Sequence, residues 1–444
     1  VAGDPGDDAR PPTELADDRS TSTLAALRHG EFRLLFAGLL PAGIGFWMQE
    51  FAVGWIVVQL AVTEGNPALG GFYLGLKSLA SAVPSLFVGL FAGVFADRTD
   101  RRRLLLATRV GSAIAALILG ILVLTDHWNI LVVMLLSALS SAAYAFDPPG
   151  RQAILPKLVP GRDLFSAMGL VRASQQVSQT TGPLVAGLLM VPIGAGGVIL
   201  SKAVLMLASM TMLLPLRPQP VEPGAREVSV LRSLREGLAY MLVDDLIRWC
   251  VILQILFAVL GMSFVQLLPA VAIETLKVGS TELSWLAAGV GAGTLVGAFI
   301  IASLGNVERR GALLLGLMLA FGIVLAFFGV QRTVLGAVVG AAALGVLMQL
   351  FIGGLAVTLQ IATPDRLRGR ILGTQSVIFQ GFGPVGVLAI GTAGSVIGIT
   401  TAILITGVTV AVLAVLVFWR VPIIRNLRRS TDRPLAGPEP DALG

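Results

Sequence analysis

The chain is cut into apolar runs of about twenty residues, and that feature most narrowly limits what it can fold into. Residues 400–419, TTAILITGVTVAVLAVLVFW, contain no charged side chain. Twelve such runs are expected, near 33–62, 71–96, 103–125, 129–147, 163–192 and 197–216, then 246–273, 282–304, 311–331, 333–361, 370–393 and 400–419. A helix rises about 1.5 Å per residue, so about 20 residues cross the hydrocarbon core of a bilayer. In lipid every backbone N–H and C=O must be satisfied within the protein, which selects helix for a single apolar segment. Composition agrees: 55% of the 444 residues are hydrophobic and 13% are charged, against about 25% charged in a soluble domain. The expected fold is an all-α polytopic membrane protein with twelve transmembrane helices.

Lys and Arg set the orientation of such helices, because positive loops stay inside. The connections after even-numbered runs hold sixteen of them, from Arg98, Arg101, Arg102 and Arg103 to Arg366, Arg368 and Arg370. The opposite connections hold Lys277 and Arg332. Both termini are therefore expected in the cytoplasm, with the chain multi-pass in the inner (cytoplasmic) membrane. The net charge of +6 belongs to this topology. The positives are dispersed among loops rather than gathered in a patch, so no nucleic-acid partner is expected.

The longest polar interruption, 217–235, carries three prolines and four arginines. It divides the chain into bundles over 31–216 and 236–420, flanked by a disordered cytoplasmic tail (1–30) and a basic, Pro-containing tail (421–444). Gly182-Pro183 recurs as Gly383-Pro384, and Arg101-Arg102 as Arg309-Arg310. Two pseudo-symmetric six-helix bundles follow, with a substrate site between the repeats near the midplane.

Ionisable residues inside membrane helices are costly, about 2.5–3.5 kcal/mol at the centre, so each needs a partner or a purpose. Glu50 lies mid-run beside Gln49; Lys77, Arg109 and Arg172 are the cations it can meet. These four are candidates for proton coupling or substrate binding. For Glu50, the bland alternative is a permanent ion pair with Lys77 or Arg172. For Arg109 it is snorkelling to the cytoplasmic surface. Lys202 and Arg248 fall near run ends and are expected to be anchors. Arg172, Gln175, Gln176 and Gln179 recur on one helical stripe, and with Gln49 and Tyr144 they are expected to line a cavity. The competing reading for this stripe is hydrogen bonding between helices. The serines Ser137, Ser140 and Ser141 fit close helix packing.

The single Cys250 excludes a disulfide framework, and His29 and His127 alone offer little for a metal. A P-loop and a HExxH zinc motif are both absent from the sequence. Primary ATP-driven pumping and zinc proteolysis are thus excluded; no cofactor is expected, and the chain is not expected to be an enzyme.

After the second run stand Gly93, Asp97, Arg98, Arg101 and Arg102. This loop resembles the major facilitator superfamily signature Gly-x-x-x-Asp-Arg-x-Gly-Arg-Arg, with Asp100 in place of the second Gly. With Asp147, placed where Arg101 can find it, these residues are expected to form a cytoplasmic gate. The fifth run is similar to the superfamily's antiporter motif through Gly169, Gly182, Pro183 and Gly187; Ser178 and Ala186 depart from it. The segment from Phe146-Asp147-Pro148 through Arg151 to Pro156 resembles the branch of enterobactin exporters and drug:proton antiporters. The resemblance covers 31–420 and implies a monomeric secondary transporter exporting amphipathic small molecules, drug or siderophore-like, by proton antiport. Its partners would be substrate, protons and membrane lipids. The fourth run lacks the Arg-x-x-Gln-Gly arginine of many proton antiporters, so coupling would need a different arrangement. An importer or lysophospholipid flippase of the same fold stands as the alternative, and a sensor or channel as the reading from another class. Sparse cavity charge is expected to disfavour polyanions.

Overall fold

The computed structural model describes residues 24–217, 244–303, 309–363 and 365–427, with backbone alone over 90–98 and 365–376. The helices run α1 (Gly30–Thr63), α2 (Gly70–Arg98), α3 (Arg101–Leu124), α4 (Ile130–Tyr144), α5 (Asp147–Leu158) and α6 (Leu164–Leu213). After the central interval come α7 (Asp245–Leu276), α8 (Ser280–Ser303), α9 (Arg310–Gly329), α10 (Val334–Ala362), α11 (Asp365–Ile397), α12 (Ile399–Arg420) and the short α13 (Pro422–Arg425).

Eleven helical stretches among the described residues are long and apolar enough to cross a membrane. The expected fifth and sixth runs form one of these, because α6 is continuous for 50 residues. Its backbone turns at Gly194 (φ 68°, ψ 173°), a conformation that glycine adopts without Cβ strain. A straight helix of that length would span about 75 Å, far more than a bilayer. α7 extends beyond its expected end through two π-helical stretches, Phe257–Gly261 and Val271–Leu276, and so takes Glu274 into the helix.

Polar residues at run boundaries start the helices. Asp100 accepts a hydrogen bond from the Arg102 N–H at 2.9 Å and caps α3. The residue that departs from the loop signature therefore has a structural role of its own. Asn129 and Asp244 cap α4 and α7 in the same way. The segment just before α1 packs against the start of α6. Ala25–Arg28 form a 3-10 turn, the Ala26 N–H donates to Ser166 Oγ at 3.2 Å, and His29 lies 2.8 Å from Asp163. At the other end, Ile424 of α13 is fully buried and packs on α9 at Gly311.

Small residues bring the helices together, as lipid-embedded packing requires. Gly38 and Gly45 of α1 meet Ser209 and Leu205 of α6, and Gly293 of α8 meets the Ala342 carbonyl of α10. Helices before and after the central interval also touch. Gly71 and Gly75 of α2 lie against Gly391 and Leu388 of α11, Gly187 of α6 against Ser284 of α8, and Gly54 of α1 against Pro269 of α7. These junctions fall at the end of the molecule opposite the Arg101–Arg103 connection.

Candidate functional site

Toward the arginine-rich end the two parts of the chain separate around a cavity of about 720 Å³. Its walls come from α1, α3, α4, α5 and α6 on one side and from α8 and α10 on the other. α1 contributes Phe46 and Trp47; Phe46 stacks on Tyr144 of α4, with ring centroids 4.4 Å apart and planes at 19°. α6 contributes Arg172, Gln175, Gln176 and Gln179, and α10 faces them with Gln349. The polar stripe read from sequence therefore lies on the cavity. Gln176 also hydrogen-bonds between helices, its Nε2 donating to Thr294 Oγ1 at 2.7 Å across to α8. Gln49 does not line the cavity. It sits two residues beyond Trp47, so it points to the opposite side of α1; it is buried, and its carbonyl oxygen has no hydrogen-bond partner among the described residues.

Asp147 opens α5 at the cavity wall and is 1% exposed. Its partner is Arg109, at 2.6 Å, with Arg151 at 3.6 Å on the next turn of α5. The expected approach of Arg101 to Asp147 is replaced by this pair, because α3 carries Arg109 two turns deeper, level with the start of α5. Arg109 is accordingly 3% exposed and does not snorkel. Neither Asp147 oxygen lies in hydrogen-bond geometry with a donor among the described residues. Arg102 instead reaches across to α6 and donates to the Leu214 carbonyl at 2.5 Å. Gly93, Asp97 and Arg98, assigned to the gate from sequence, lie outside the residues whose side chains are described.

Further along α1, Lys77 of α2 donates to Glu50 in an ion pair. Glu50 thus takes Lys77 as partner rather than Arg172, whose side chain lies exposed on the cavity wall. A third ionisable group joins them, one that the sequence placed as a run-end anchor. Lys202 of α6 is fully buried, donates to Ser140 Oγ at 2.7 Å and lies 5.7 Å over the Phe46 ring. Glu50 and Lys77 are both within electrostatic reach of it. It is no anchor: the turn at Gly194 places position 202 two helical turns inside the returning arm of α6. The Ser140 stripe on α4 was the available signal, since its packing face holds the hydroxyl that receives the ammonium.

In the antiporter-motif helix, Gly182, Pro183 and Gly187 are buried. A Cβ on Gly182 would fall 2.5 Å from Trp47 Cβ, and one on Gly187 2.1 Å from Ser284 Cβ. Gly169 has open space beside it. Among the described residues no three His, Cys, Asp or Glu side chains cluster as metal ligands.

The family model described as transmembrane secretion effector matches residues 21–441. The multidrug efflux pump Tap of Mycolicibacterium fortuitum is 24% identical over 381 residues, covering 84% of this chain and 91% of that protein. The enterobactin exporter EntS of Shigella boydii serotype 4 is 26% identical over 349 residues, covering 78% and 80%. Among solved structures, a bacterial homologue of the human lysosomal transporter Spinster, inward-facing and unoccupied, superposes with a TM-score of 0.69 at 13% identity. The superposition covers 90% of this chain and 99% of that one.

Proposed function

Because the chain belongs to the transmembrane secretion effector family of the major facilitator superfamily, we propose that it is a secondary active exporter of amphipathic small molecules, working by proton antiport and alternating access. The proposed architecture has twelve spans in two six-helix bundles, the arms of α6 on either side of Gly194 counting as two. Both termini lie in the cytoplasm and the protein sits in the inner membrane. The observation that carries the reading is the cavity: it is walled by helices from both sides of the central interval, and beyond it α6 meets α8 at Thr180–Gly291 and Gly187–Ser284, while α2 meets α11 at the same end. Under this topology the cavity opens to the cytoplasm and the junctions close the exterior. Rocking the bundles about the site would exchange the two openings.

The lining suits an amphipath, with aromatic faces from Phe46, Tyr144 and Trp47 beside amides and guanidinium groups. Proton coupling is assigned to the Glu50–Lys77 pair, which lies on α1 and α2, one wall helix and one junction helix. A proton arriving at Glu50 would release Lys77 and loosen the α1–α2 contact, and a change of this kind biases a two-state equilibrium.

Topology and coupling are tested separately. In a Cys250→Ser background, His127→Cys and Arg332→Cys should react with an impermeant maleimide in intact cells. Arg103→Cys and Arg162→Cys should react only after permeabilisation; the reverse at any two positions overturns the topology. For coupling, inside-out vesicles with an acid lumen should accumulate fluorescent amphipaths when they carry wild-type protein. The Glu50→Gln protein should equilibrate them without concentrating them. Accumulation by the Gln variant at the wild-type level would remove Glu50 from the mechanism.

A further inference from the structure

Every carboxylate the described residues place in or beside the cavity is already neutralised, and the arginines there outnumber them. Asp147 is the one acid among the described lining residues, and Arg109 and Arg151 both lie against it. Glu50, one turn beyond the α1 wall, is held by Lys77, and the additional ammonium of Lys202 stands behind Phe46. Arg172 adds a third guanidinium on the wall, with no ion-pair partner among the described residues. The described lining thus carries three positive side chains against one negative. A cationic substrate entering this space would meet repulsion and find no unoccupied carboxylate.

We infer that the cavity takes anionic amphipaths that join an aromatic group to a carboxylate, with Arg172 as the residue that contacts the anion. This rests on the exporter reading and narrows its substrate class. It also corrects the expectation that cavity charge is sparse. Arginine suits the task because its planar fork donates two parallel hydrogen bonds to a carboxylate. Gln175 and Gln179, one turn and two turns further along α6, offer neutral donors to the same group. The apolar part of the substrate lies against the Phe46–Tyr144 stack and Trp47, where ring faces pack in offset or edge-on geometry. Arg109 and Arg151 keep their carboxylate and supply field rather than contact. Three guanidinium groups against one acid leave room for one or two negative charges, short of the phosphate clusters of a polyanion.

The test uses two probes with the same fluorophore and a five-carbon arm, dansyl-aminohexanoate ending in a carboxylate and dansylcadaverine ending in an ammonium. Binding to purified full-length protein is read as energy transfer from tryptophan, since Trp47 lines the cavity. The carboxylate probe should bind at least tenfold more tightly than the amine. Arg172→Gln, which removes the charge and the two-pronged contact, should weaken it by at least tenfold and leave the amine unchanged or improved. Arg172→Lys, which keeps the charge without the fork, should recover part of the preference. Equal binding of the two probes, preference for the amine, binding of neither, or a preference undiminished in Arg172→Gln would each overturn the inference. The exporter reading fails differently: carboxylate binding with the expected preference, but no accumulation in acid-lumen vesicles, would leave the site assignment standing and remove antiport.

Discussion

Lys77 and Lys202 place two ammonium groups near the single carboxylate of Glu50, on α2, α6 and α1. The pair and the remaining cation respond to mutation in opposite directions. Removing one member of a buried ion pair leaves the other uncompensated and costs about 3–5 kcal/mol. Glu50 keeps 25% of its side chain exposed, so the lower end of that range is expected for Lys77→Met. The double variant Glu50→Gln/Lys77→Met should recover most of the loss, giving a coupling energy of about 1–3 kcal/mol in a thermal-stability cycle. Additive losses would show that the contact contributes nothing to the fold. Lys202 has a neutral hydroxyl and a ring face as partners. Replacing it with Met, of similar length, removes a buried charge without orphaning an opposite one. Lys202→Met is therefore expected to be neutral or stabilising, read as an unchanged or raised melting temperature in detergent. A fall of several degrees would mean that the ammonium is needed to hold α4 against α6.

At the scale of elements, the two parts of the chain meet backbone to backbone where α2 crosses α11. A Cβ added to Gly391 would lie 2.1 Å from the Gly71 carbonyl oxygen, well inside van der Waals contact. Backbone stands on the far side of that gap, so no side-chain rotation relieves it. Gly391→Val is expected to force the helices apart at this end and favour the conformation in which the junction is open. A reporter cysteine at Leu388, in a Cys250→Ser background, should then label severalfold faster with an impermeant maleimide. Unchanged labelling would place the hinge of the molecule elsewhere. The helices themselves were legible in the sequence because a twenty-residue apolar run has one solution in lipid. The positions of the arginine-rich loops, the break near 193–196 and the cavity-facing stripe from Arg172 to Gln179 were legible for the same reason: charge, glycine and helical period are local properties. Which charges pair was not legible. The partners of Asp147 and Glu50 depend on how deep neighbouring helices sit, and a shift of two turns exchanged Arg101 for Arg109. Lys202 was misplaced because distance from the end of a run looks the same whether the run begins at a loop or at a sharp turn such as Gly194.

At the scale of the whole molecule, the excess of guanidinium groups in the cavity has an electrical consequence. If the cargo leaves with one negative charge while one proton enters, each cycle carries two positive charges toward the cytoplasm. The membrane potential performs about 2.3 kcal/mol of work per charge per 100 mV, so an interior-negative potential of about 100 mV would add about 4.6 kcal/mol to every turnover. A monocation exchanged one for one with a proton would be electrically silent. In inside-out vesicles, a lumen-positive potassium diffusion potential set with valinomycin should raise accumulation of dansyl-aminohexanoate even with no pH difference across the membrane. Accumulation that ignores the potential would rule out this exchange. A carrier built this way would keep exporting in alkaline surroundings, where the proton gradient vanishes or reverses and the voltage alone remains.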